Sequence, residues 1–94
     1  MSNAPAFPFV DPVAHGIPQH LVHGIENYVV HHLLTGGFLR ACFSNDLIGA
    51  VSRADFEALK ALPSIVNYIH YFTPSECHGS PEKVTKWTTS PAGA

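Results

Sequence analysis

Two groups of residues in this chain have types and spacings that could do chemistry: seven histidines, and a polar cluster set in an otherwise apolar stretch. His20 and His23, three apart with Glu26 a turn further on, could share one helix face; His31 with His32 and Cys77 with His78 are adjacent pairs. Structural zinc needs three or four nitrogen or sulfur donors converging on one point. Adjacent residues such as His31 and His32 diverge by about 100° on a helix, and no Cys-x-x-Cys or His-Glu-x-x-His pattern is present. The expectation is therefore no metal site and no cofactor. The histidines read as solvated or interface residues, with a pH-sensitive interface as a further role.

For nucleophilic catalysis the sequence offers Cys42, Cys77 and the serines. Cys42 falls on the expected inner face of a helix, where a cysteine behaves as a small inert hydrophobe. Cys77 has His78 beside it in sequence, but neither cysteine sits in a nucleophile-elbow pattern. No Gly-x-Gly-x-x-Gly or Walker loop is present. The Gly36-Gly37 pair would expose backbone donors to an anion, and a helix-helix turn explains it equally well. An enzyme is not expected.

The polar cluster carries more information. Arg40, Asn45, Asp46, Arg53 and Asp55 place four charges and an amide among core-forming residues, and polar groups there must find hydrogen-bond partners. Two readings stay open. Asp46 or Asp55 pairs with an arginine and caps a helix end, or Gly37, Arg40, Asn45, Asp46 and Arg53 line a small pocket whose arginines grip a phosphate or carboxylate.

The elements that must position these groups read as helices throughout. Pro5, Pro8, Pro12 and Gly16 make residues 1–16 a Pro-rich arm, and its Phe7, Phe9 and Val10 call for cover by the domain or a neighbouring copy. A first helix starts near Pro18, carries Leu21, Ile25, Tyr28, Val29, His32 and Leu33 as one stripe, and ends at Gly36-Gly37. Phe38, Leu39, Cys42, Phe43, Leu47, Ile48 and Val51 continue the helical pattern inward, with Ser44-Asn45-Asp46 as a break or a polar patch. Ser52 with Asp55 resembles a capping box ahead of a helix from about Arg53. That helix should bury Phe56, Leu59, Leu62, Val66, Ile69 and Phe72, with a kink or restart at Pro63-Ser64. Ser80 and Pro81 announce a last helix anchored by Val84 and Trp87. No strand-like alternation or repeat appears. The expected fold is all-α: a compact bundle of four to five short helices over residues 17–88, with the Pro-rich N-terminal arm before it and a flexible tail at 89–94.

Composition bounds the function. Apolar residues make up 46% of the chain and charged residues 13%, against roughly 25% charged in ordinary globular domains. Self-association into a homo-oligomer is expected, because so few charges leave apolar surface to cover. A net charge of -2 with scattered Lys and Arg disfavours binding to duplex nucleic acid. No apolar run is long enough to span a membrane, and MSNAPAFPFVDP has no basic region ahead of an apolar core, as a secretory signal would need. The two cysteines lie in separate segments and fit the reduced thiols of a cytoplasmic protein.

The run TGGFLRACFSNDLIGAVSRAD, followed by ALPSIVNYIHYFTPSECHGSPEKVTKW, resembles a family of small accessory proteins of tailed phages and prophages. The shared pattern is Gly37-Phe38-Leu39, Asn45-Asp46-Leu47, Arg53-Ala54-Asp55, and Gly79-Ser80 ahead of Trp87. It covers about residues 17–88; the arm lies outside it, and His78 stands where the family more often carries Trp. The resemblance implies a cytoplasmic role in the host cell. It implies stoichiometric binding that antagonises host defence, by occupying a host defence protein such as a CRISPR complex or by sequestering a small nucleotide signal. A virion structural or assembly protein is the alternative, and a metal-dependent regulator a third.

Overall fold

The computed structural model describes residues 11–89, and the arm residues Phe7, Phe9 and Val10 lie outside them. The fold is all-α, and no strand occurs among the described residues. The helices are α1 (Gln19–His31), α2 (Gly37–Phe43), α3 (Leu47–Arg53), α4 (Phe56–Phe72) and α5 (Pro81–Thr89). Single 3-10 turns at Val13–His15 and Ser75–Cys77 precede α1 and α5. Residues 11–16, the end of the expected arm, thus lie against the domain with Pro12 buried, and Ile17, which follows them, is buried too.

Each helix boundary has a local cause. Pro18 stands just before α1 and Leu21 N–H donates to its carbonyl at 3.0 Å. Gly36-Gly37 was expected to end α1, but His32 does so, in the left-handed conformation at φ 58°. A residue with a Cβ pays roughly 1 kcal/mol for that conformation. Trp87 offsets the cost: its ring stacks on the His32 imidazole at 4.0 Å and 18°, and His32 Nδ1 donates to Trp87 O at 2.9 Å. The indole Nε1 donates in turn to Tyr28 O at 2.8 Å, in the last turn of α1. Gly36 and Gly37 instead begin α2.

Ser44-Asn45-Asp46 is a true break. Asn45, at φ 62°, reverses the chain after α2, and Asp46 caps α3 by accepting from Gly49 N–H at 2.9 Å. Ser52 does not cap α4; it lies inside α3, and Asp55 takes the role by accepting from Ala58 N–H at 2.7 Å. α4 therefore starts at Phe56 and runs uninterrupted through Pro63. Ser80 caps α5 as expected, with Lys83 N–H donating to its Oγ at 3.2 Å.

The core joins Ile25, Tyr28 and Val29 of α1, Leu39 and Phe43 of α2, and Ile65, Tyr68 and Ile69 of α4. Cys77 and Val84 close it from the C-terminal side, with Trp87 packed against them. Tyr28 sits at its centre, its ring 4.2 Å from that of Phe43 and its hydroxyl donating to Cys77 O. The face of α4 expected to be buried is mostly not. Phe56, Leu59 and Val66 are exposed, and Ala58, Ile65, Tyr68 and Ile69 go inward. Leu47, Ile48 and Val51 of α3 also face outward, as does Leu33. α3 sends only Gly49 and Ala50 inward, small residues that let it lie close on α2.

Candidate functional site

Three of the five expected site residues come together where α2 meets α3. Gly37 opens α2, and a Cβ there would lie 2.9 Å from Arg53 Cδ, so the Arg53 side chain runs across this glycine. Its Nη1 reaches Gly49 O at 3.4 Å. A Cβ on Gly49 would meet Asp46 Oδ2 at 2.2 Å and Arg53 Nη1 at 3.0 Å. Asp46 and Arg53 therefore flank one buried glycine, and among the described residues they form no ion pair. Asp46 is occupied by the cap on Gly49 N–H. Arg40, one turn beyond Gly37, is exposed, and its side chain has no partner among the described residues.

Asn45 leaves this group. The left-handed turn at Asn45 carries its side chain to the other side of the hairpin, where it lines a cleft with Cys42, His70 and His78. In the sequence His78 stands beside Cys77, whereas His70 belongs to neither the histidine pairs nor the polar cluster. The available signal was a histidine four residues after Val66, breaking an apolar stripe on α4.

His20 and His15 go to separate partners. His20 Nε2 meets Asp55 Oδ2 at 3.1 Å and its Nδ1 meets Glu57 Oε1 at 3.6 Å, tying the start of α1 to the start of α4. The Ala58 amide first, with His20 adding, holds the Asp55 carboxyl below its usual range. His15 packs on Phe72, with ring centres 4.4 Å apart. These carboxylates, and not His23, are the partners of His20. Among the described residues no group of three or more His, Cys, Asp or Glu is placed to hold a metal.

Both cysteines are free thiols. Burial pushes Cys42 up to about 12 and Cys77 up to about 11, so both are protonated near neutrality, whereas a nucleophile needs the thiolate. Cys77 instead offers its carbonyl to Tyr28.

The other feature of note is apolar. On α3, Leu47 and Ile48 in the first turn and Val51 one turn later share a face; on α4, Phe56 and Leu59 do the same. Ile48 is 82% exposed, Phe56 74% and Leu47 66%. Only Ala54 and Asp55 separate the two helices. No helix among the described residues is long and apolar enough to cross a membrane. Comparison with known proteins finds no matching family model, curated protein or solved structure, and the resemblance to the phage family rests on the residue pattern alone.

Proposed function

We propose that the chain is a small phage-derived binding protein that antagonises host defence by stoichiometric occupancy of a host protein. The contact is made by the outward face of α3 and the start of α4. The observation that carries this reading is the exposure of Leu47, Ile48, Val51, Phe56 and Leu59. Fully burying one large apolar side chain yields about 1.5–3 kcal/mol, and a few such anchors dominate most interfaces. Lys60 edges the face, its Nζ 5.2 Å from the Phe56 ring centre, and Asp55 and Glu57, on either side of Phe56 in sequence, pair with His20 of α1. A partner with an apolar groove and a mixed charged edge complements it.

A second reading, sequestration of a small nucleotide signal, is favoured by Arg53 lying over Gly37 with Arg40 exposed one turn away. The two readings separate in one experiment: plating efficiency of a defence-sensitive phage on a host expressing the chain. Ile48→Glu and Phe56→Glu should abolish protection, while Arg40→Ala and Arg53→Ala retain it. The reverse pattern overturns the protein-binding reading in favour of the nucleotide. No protection against any defence, together with incorporation of the chain into particles, overturns both in favour of an assembly role.

A further inference from the structure

The end of α2, the second half of α4 and the turn before α5 enclose a cleft of about 110 Å³ away from the outward face of α3. Asn45, His70 and His78 supply its polar lining, and Val66, Ile69 and Cys42 its apolar walls. The two imidazoles meet edge to face, with ring centres 6.4 Å apart and planes at 67°. No carboxylate lines the cleft. Among the described residues the side chains of Asn45, His70 and His78 have no hydrogen-bond partner. Lys83 of α5 stands beside the turn, its Nζ donating to Ser75 O at 3.4 Å. The cleft thus sets two imidazoles and an amide, each able to donate, together with no carboxylate among them.

We propose that this cleft binds a phosphate group, as inorganic phosphate or as the phosphate of a small nucleotide, held by His70, His78 and Asn45. Imidazolium N–H groups give short, charge-assisted bonds to phosphate oxygens, and the Asn45 amide supplies a further donor. With no anion beside it, His78 resists protonation. Burial first, then the charges of His70 and Lys83, lower the proton affinity of His78; an anion between the rings removes the repulsive part. Glu76, from the 3-10 turn, lies with Lys83 along a neighbouring cleft on the outer side. A metal cation fits less well, because among the described residues no third His, Cys, Asp or Glu is placed with the two imidazoles to hold one.

This site is independent of the protein-binding face. Its test is titration of the full chain with sodium sulfate, whose charge is constant across the range used, read from the imidazole proton resonances of His70 and His78. Both should shift saturably, with affinity at about pH 5.5 roughly tenfold above that at about pH 8. His70→Gln, at an exposed position, should keep the fold and weaken sulfate roughly tenfold. Parallel titrations with inorganic phosphate and with adenosine monophosphate distinguish the sources: tighter binding of the monophosphate assigns a nucleotide, equal or weaker binding assigns free phosphate. No saturable shift with sulfate or phosphate, a response unchanged in His70→Gln, or movement of both rings with zinc but not sulfate overturns the proposal.

Discussion

At the scale of single residues, Asp46 is bound into the folding of α3 by its cap on Gly49 N–H, whereas Arg53, exposed, adds only one long contact to Gly49 O. Asp46→Ala removes the cap on Gly49 N–H and should cost about 1 kcal/mol in urea unfolding. Gly49→Ala should cost more, because its Cβ would fall 2.2 Å from the Asp46 carboxylate. In an Asp46→Ala background the same change should cost clearly less, the non-additivity expected of side chains competing for one space. Arg40→Ala, at an exposed position, should change stability by less than about 0.5 kcal/mol. Acid should act through His78. Its proton affinity is lower in the fold than the ordinary value of 6.5, so the unfolded chain takes the proton first as pH falls. Stability is then full above about pH 6.5 and declines as pH drops below it. Asp55, with its carboxyl lowered, adds a later loss below the usual carboxylate range. Urea unfolding from about pH 8 to 5 should show the first decline, and His78→Gln should flatten it. The sequence made the Asp46 cap legible but not the departure of Asn45, since adjacent positions part company only once Asn45 adopts a left-handed turn.

At the scale of elements, α4 holds the main difference between sequence and structure. It is apolar on more than one side: Phe56, Leu59 and Val66 make one stripe, and Ala58, Ile65, Tyr68 and Ile69 another. Spacing of 3.6 residues permits either stripe to face the core. The choice was made by α1 and α2, whose Tyr28 and Phe43 fill the centre, and no local pattern carries that information. Ile65→Ala, at a fully buried position, should cost about 2–5 kcal/mol by thermal or urea unfolding. Val66→Ala, on a side chain 46% exposed, should cost under about 1 kcal/mol. α5 was legible because its signals are local: Ser80 as cap, Pro81 in the first turn, and Val84 and Trp87 three apart. The end of α1 was not, because His32 adopts its conformation for a partner fifty-five residues away.

At the scale of the whole molecule, the exposed apolar surface on α3 and α4 meets a chain with little charge to keep copies apart. Sedimentation velocity at micromolar concentration should show a dimer or larger species, and Ile48→Glu should shift it toward monomer without changing the helical circular dichroism. A monomeric mass for the unmodified chain would leave the face free for a host partner alone. All-helical architecture followed from composition and spacing, whereas this outward face did not, because helical periodicity locates stripes without saying which one meets solvent. The Trp87 clasp has an optical consequence. Trp87 is the chain's one tryptophan, and it is held against His32 and Tyr28 on the side of the molecule built by α1 and α5. Its fluorescence therefore reports the docking of α5 on the end of α1, by a red shift as the half-buried indole meets more water. A ligand or partner seated on α3 should leave that emission unchanged, so each molecule carries its own internal gauge for distinguishing loss of binding from loss of fold.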